Sequence, residues 1–256
     1  MATRRHFVAT IAALFLAACA SVPPTEIRVM TSGGFTAAYR ELTPEFERQT
    51  GHRVATAYGA SQGGAPDSIP SRLARGEPVD VVILAAPALE ALVKDGRVVP
   101  GSRVDLVHSN MGMVVRSGAP KPDISTLEAF RRTLLEAKSI AYSASVSGTY
   151  LSTELFQQLG IADRVLPKSR RIEGERVGAV VARGDAEVGV QQVSELLPVS
   201  GIEIVRMLPP EFQLTIVYAT TAFPQAAQRD AARAFVEFLH SAQARDVLRR
   251  KGLEPA

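Results

Sequence analysis

Short apolar runs alternate with amphipathic stretches along this chain, and the alternation starts afresh near residue 110. That pattern restricts the fold more than any other feature. A run apolar throughout is a strand covered on both faces, and an amphipathic stretch between two such runs is a helix crossing from one parallel strand to the next. Ile27 to Met30 reads as a strand. Phe35, Ala38, Leu42 and Phe46 then recur at helical spacing until Gly51. His52 to Tyr58 alternates as a strand, "GASQGGAPDSIP" is a loop, and a short helix runs through Leu73 and Arg75. "VDVVILA" reads as a buried strand and Pro87 to Asp95 as a helix.

The second round opens with a strand over Met111 to Arg116. Ser125 or Thr126 caps a helix through Leu135, "SIAYS" is a strand, and Gly148 to Leu159 is a helix. Val177 to Arg183 is a helix, and "EVGVQQ", "IEIVRM" and "LTIVYATTAF" are strands. Ala226 to Leu239 and Ala242 to Arg250 close the chain as helices. The expectation is an α/β protein of two lobes, each a mostly parallel sheet flanked by helices. Connectors near 105–111 and 207–218 are the crossovers, with Pro209-Pro210 suited to a hinge. Residues 26–107 with 213–256 form the first lobe and 108–212 the second.

The first 25 residues stand apart. "MATRRHF" followed by "VATIAALFLA" has the charged and apolar regions of a secretion signal, and its apolar part is too short to span a bilayer. Leu16-Ala17-Ala18-Cys19 resembles a bacterial lipobox, which implies a signal over 1–19, lipidation of Cys19, a tether over 20–25 and a periplasmic, lipid-anchored protein. Cys19 is the one cysteine of the chain, so disulfides and cysteine catalysis in the folded part are excluded. The net charge is +3; Arg4 and Arg5 lie in the signal, which has no acid, and taking those two away leaves +1. Nucleic acid is not a partner for such a surface.

Three strand-to-helix junctions share one chemistry: "TSGGF", "YGASQGG" and "YSASVSGTY". Each offers hydroxyls and backbone N–H groups beside a helix start, a set of neutral donors for an anion. Nucleotide-binding loops of the G-x-x-x-x-G-K-[ST] and G-x-G-x-x-G kinds are missing, as are metal-ligand spacings among His6, His52, His108 and His240, so neither a cofactor nor a metal is expected.

"ELTPEFERQTGHRV", "RLARGEPVDVVILAA", "VSGTYLSTELFQQLGI", "VARGDAEVGVQQ" and "AARAFVEFLHSAQARDVLRRKGL" follow one another as in the periplasmic molybdate-binding proteins, a family that nearly the whole mature chain resembles. The resemblance implies a type II periplasmic binding fold with a two-stranded hinge, a monomer, a small anion between the lobes and an ABC permease as partner. It carries ligand contacts onto Ser61 and onto Ser147, Gly148 and Tyr150. It departs at Gly34, where the family has a binding serine that Ser32 or Thr36 would replace, and at Gln192, where it has a binding tyrosine. The second loop is also longer, through Gly63, Gly64, Pro66 and Asp67. These departures suit a larger ligand, a di- or tricarboxylate, bound by Ser32, Gly33, Gly34, Ser61, Gln62, Arg72, Ser147, Gly148, Tyr150 and Gln192. Arg75, Arg103 and Arg176 are further cation candidates.

"RLARGEPVDVVIL" and "GAPKPDISTLEAFRRTLLEAKSIAYS" are in addition similar to a periplasmic aconitate isomerase branch of this fold. The leading expectation is capture of a carboxylate for import. The alternative is a 1,3-proton shift between trans- and cis-aconitate, with His108 as base and Tyr142 or Tyr150 as donor; Asp67 and Glu175 are weaker candidates for the base.

Overall fold

The structure is a computed structural model and describes residues 24–98, 100–222 and 228–256. The signal, the lipobox and Cys19 lie outside the described residues.

Two sheets form. The strands of the first are β1 (Glu26–Thr31), β2 (Arg53–Tyr58), β3 (Val81–Ala85), β4 (Val104–Ser109), β10 (Ile216–Ala222) and β11 (Leu253–Pro255), in the order β11-β4-β10-β3-β1-β2. Those of the second are β5 (Met111–Arg116), β6 (Ile140–Ser143), β7 (Ser169–Ile172), β8 (Val188–Gln192) and β9 (Ile202–Met207), in the order β7-β6-β8-β5-β9. Each sheet has a parallel core, β2-β1-β3 in one and β7-β6-β8 in the other. The strands next to the crossings add antiparallel pairs to both, β10 with β3 and β4, and β5 with β8 and β9.

Helices cover both faces of both sheets. They are α1 (Gly33–Thr50), α2 (Ile69–Ala74), α3 (Ala86–Lys94), α4 (Leu127–Glu136), α5 (Val146–Tyr150), α6 (Phe156–Gln158), α7 (Ala162–Val165), α8 (Val177–Arg183), α9 (Val193–Leu196), α10 (Arg229–Leu239) and α11 (Ala242–Arg250). A π-helical turn over Leu151–Leu155 joins α5 to α6. On one face of the first sheet Ile27, Val29, Phe35, Leu42, Phe46 and Phe235 pack together, and on the other Met30, Val82, Leu84, Ile69 and Leu89. β3 is buried along its whole length, as its unbroken apolar run requires. α1 ends at Gly51, whose φ of 75° places it in the left-handed region while its N–H closes on Glu47 O. Thr126 caps α4 by accepting from the Ala129 N–H at 3.2 Å.

The chain changes sheet twice. It leaves the first after Ser109, passes through Asn110 and enters β5; it returns through 208–215 into β10. The division expected at 107/108 falls inside β4, which keeps His108 with the first sheet, and that at 212/213 falls inside the return segment. Gln213 clasps the two crossings: its Oε1 accepts from Met111 N–H at 2.6 Å, and its Nε2 donates to Met111 O at 3.0 Å and Leu208 O at 3.3 Å. Thr215 Oγ1 donates to Asn110 Oδ1 at 2.9 Å. The hinge is thus a pair of segments tied side by side.

Candidate functional site

The first candidate loop lies where β1 runs into α1. Ser32 has the extended backbone of an N-cap, yet its hydroxyl makes no cap bond. Both Ser32 Oγ and the neighbouring Thr31 Oγ1 are buried without a partner among the described residues. A helix start leaves its first N–H groups unspent and carries partial positive charge, so two idle hydroxyls there suit an anionic group. The glycines make room for what faces them. A Cβ on Gly34 would stand 2.1 Å from the Tyr218 hydroxyl, and one on Gly33 would stand 2.8 Å from Glu195 Oε2. The hydroxyl that the resemblance expects from a serine at 34 is therefore brought to the same place by Tyr218, from β10. Thr36 donates to Ser32 O at 3.1 Å and is turned into the helix.

The second loop is pinned at the carboxyl end of β3, where Ser61 Oγ accepts from Ala85 N–H at 2.9 Å. Gly59 lets the long loop fold back on itself, since a Cβ there would meet Asp67 O at 2.1 Å. Gln62 is half-buried, and Asp67 is exposed. Arg72 is already spent, on Glu77 and on the main chain of the loop. Its Nη1 meets Glu77 at 2.8 Å and its Nε donates to Asp67 O at 3.1 Å, while Arg75 takes the other Glu77 oxygen at 2.6 Å. Glu77 lies with Arg28 and Asp80 at the amino end of β1 and β3, the end opposite the loops. Arg103 pairs with Glu90 and Asp105, and Glu175 with Arg183.

The third loop holds three serine hydroxyls in mutual contact. Ser143 and Ser145 are 2.7 Å apart, Ser143 and Ser147 3.2 Å, and Ser145 and Ser147 3.4 Å. Ser147 donates to Gln192 Oε1 at 3.2 Å, so the two residues that the sequence singled out meet. Gly148 cannot be replaced without moving backbone: a Cβ would lie 1.6 Å from Ser143 O. Val146, within the same loop, packs on the core of the first lobe, so this cradle faces across the gap.

Glu195 is the group sequence reasoning missed. It follows β8 on the short helix α9, it is buried, and it belongs to the second lobe while touching Gly33 of the first. Gln191 holds it by donating from Nε2 to Glu195 Oε2 at 2.6 Å, and Gln191 is itself fixed because its Oε1 accepts from Val177 N–H at 3.0 Å. Burial pushes the Glu195 carboxyl up to about 7, opposed by Arg176 at the N-cap of α8. The Tyr218 hydroxyl is held well above its ordinary value by burial and by the neighbouring Glu195. A signal was present: an acid just beyond the carboxyl end of a sheet strand is where α/β proteins place their sites.

The residues expected to act in the alternative chemistry are scattered. His108 is half-buried within β4, paired through its backbone register with Val217 and Glu254. Tyr142 is buried in the second core with its ring against Gly148. Tyr150 is half-buried, and desolvation followed by the charge of Glu154 raises its hydroxyl.

A model of the bacterial extracellular solute-binding proteins matches residues 27–254. The chain belongs to that family. It is 44% identical, over 92% of its length and 90% of the relative's, to an aconitate isomerase from a Pseudomonas species. It is 26% identical, over 95% of its length and 94% of the relative's, to the molybdate-binding protein ModA of Rhodobacter capsulatus. Among solved structures, the periplasmic molybdate-binding protein of Azotobacter vinelandii superposes with a TM-score of 0.70 at 21% identity, covering 89% of this chain and 98% of the other. The two-lobed binding-protein fold follows from these likenesses.

Proposed function

We propose that this protein is an isomerase of aconitate, binding the tricarboxylate between its lobes and moving a proton along an allylic unit. The observation that carries it is the 44% identity, nearly end to end, to a protein named for that reaction, against 26% for the molybdate binder. The geometry supports it in two respects. A tetrahedral oxyanion asks for donors converging on a small sphere, whereas here the second loop is enlarged, with Gly63, Gly64, Pro66 and Asp67. A buried carboxyl also stands at the gap, and a receptor built only to trap an anion gains nothing from a second acid there.

The chemistry needs seats for carboxylates, a base beside one allylic carbon, and donors for the enolate-like charge that forms when the proton leaves. The α1 start with Ser32, and the Ser143–Ser145–Ser147 cluster with the Gly148 amide, are the seats. Tyr218, kept protonated, is a donor for the developing charge. Closure about the hinge excludes water from the carbanion. The protein acts in the periplasm, tethered through Cys19. The test is direct. Purified protein incubated with trans-aconitate converts it to cis-aconitate, followed by chromatography.

The second reading, capture of a di- or tricarboxylate for an ABC permease, is favoured by the family match over residues 27–254. A ligand-dependent rise in melting temperature with no turnover decides for it.

A further inference from the structure

We propose that Glu195 carries the proton between the two allylic carbons, removing it from one and returning it to the other, while a substrate carboxylate sits on the N-terminus of α1 beside it. The inference rests on the isomerase reading and adds to it the identity of the group that moves the proton.

Four observations meet at this point. α1 is a long helix whose first turn holds no acid of its own. Its N-cap hydroxyl, Ser32 Oγ, is 2% exposed as a residue and without a partner among the described residues, so an acceptor is missing at a place built from donors. Glu195 stands against that same turn, its Oε2 2.8 Å and its Oε1 3.6 Å from where a Gly33 Cβ would be; glycine at 33 keeps the approach open. Gln191 locks the carboxyl in place through a bond that serves either protonation state, since an amide N–H donates to a carboxylate and to the carbonyl oxygen of a carboxylic acid alike.

The rival groups are less suited. Tyr150 and Tyr218 are held above the ordinary range of a phenol, so near neutral pH these two give hydrogen bonds and do not take protons, and Tyr142 lies in the second core. His108 is the penultimate residue of β4, and its register partners are Val217 and Glu254; no contact of it with the α1 start or with Gly33 is seen among the described residues. Glu195 combines contact with both lobes and an affinity for protons near neutrality, the balance that lets one group accept and return a proton in each turnover. The groups that face it are Arg176 at the start of α8, which favours its charge, and Tyr218 on β10, whose own ionisation Glu195 opposes.

The step balances. The Glu195 carboxylate takes a proton from the methylene carbon, and the C–H electron pair delocalises through the adjacent carboxylate and the double bond. The new C–H bond forms at the former vinyl carbon with the same proton, the double bond shifts by one position, and the carboxylate is regenerated. Nothing is oxidised or reduced.

The experiment compares the wild type with Glu195→Gln and Glu195→Asp. Glutamine keeps the shape and the Gln191 contact but cannot carry the proton. Glu195→Gln is expected to lose about 10²–10⁴-fold in kcat, to keep an aconitate-dependent rise in melting temperature, and to stop the transfer of deuterium from the methylene carbon of labelled aconitate to the former vinyl carbon. Glu195→Asp is expected to retain part of the turnover. The wild-type kcat/KM is expected to rise with pH through an ionisation near 7. A folded Glu195→Gln protein with turnover within threefold of wild type overturns the proposal. If that variant does not fold, the wild-type pH profile decides, and a flat profile between pH 5 and 8 overturns it. A wild type that binds aconitate without turning it over defeats the isomerase reading itself, a different result from an active enzyme indifferent to residue 195.

Discussion

Glu195 and Gly33 belong to opposite lobes, yet a single methyl group added to Gly33 would reach to 2.8 Å from the Glu195 carboxyl. The contact joins the helix that follows β8 to the helix that follows β1, and it buries an acid where the lobes meet. Its consequences are thermodynamic as well as chemical.

Stability falls as pH rises through this group. The folded protein holds the Glu195 proton up to about 7, against an ordinary value of 4.5, so it binds more protons than the unfolded chain between those values. The contribution is fully present below 4.5, is lost as pH rises toward 7, and is gone above it. With Arg176 and Tyr218 as its facing groups, the loss amounts to roughly 3 kcal/mol. Urea unfolding of wild type and Glu195→Gln at pH 5, 6, 7 and 8 measures it. The wild type is expected to lose stability relative to the variant across that series, and a constant difference contradicts the assignment.

Two glycines in binding loops are expected to respond in opposite ways to alanine. Gly148→Ala drives a Cβ to 1.6 Å from a backbone oxygen and is expected to destabilise by about 1–3 kcal/mol or more. Gly64→Ala, on the exposed second loop, meets nothing within 4 Å and has no left-handed φ; it is expected to be neutral or stabilising by up to about 1 kcal/mol. Denaturant midpoints of the two variants separate these cases.

The hinge clasp is a third target. Gln213→Ala removes two hydrogen bonds that tie Met111 to the return segment and a third, to Leu208, within that segment. It also leaves the Met111 N–H without the acceptor it has here, at a cost of about 1–3 kcal/mol, while Met111 O keeps the Leu208 N–H. Thermal unfolding is expected to shift downward, and small-angle scattering without ligand is expected to report a larger radius of gyration than in the wild type.

In the third loop, Ser147→Ala is expected to weaken aconitate binding about tenfold to a hundredfold, the value of one buried donor, while the fold persists because Ser143 and Ser145 still bond each other. Calorimetric titration with trans-aconitate checks this, and unchanged affinity removes the serine cluster from the site.

Much of the architecture was legible because buried parallel strands announce themselves. "VDVVILA" has no alternation, and β3 is covered on both faces. β7, Ser169–Ile172, was not legible: it is an edge strand whose two arginines face water, so neither an apolar run nor a period of two marks it. β11 covers only Leu253–Pro255, too short for any pattern. The serine loops could be read because Gly and Ser punctuate strand ends, and Ser147 with Gln192 followed from the resemblance. Glu195 could not be read as buried, because what buries it is the approach of a segment distant in sequence. Arg72 shows the converse: the residue type suited a carboxylate ligand, but Glu77, just along the chain, already fills that part.

The two crossings have a consequence for how such a chain is assembled. Leu208 N–H donates to Met111 O at 3.0 Å, so the segment that makes the whole second sheet starts and stops at a single spot on its host. A piece of chain whose two ends meet can be grafted in or cut out as a cassette without displacing its surroundings, and its own ends can be joined to make a circular permutant. The second lobe is in that sense a guest, free to diverge in what it grips while the host keeps β1 and β11.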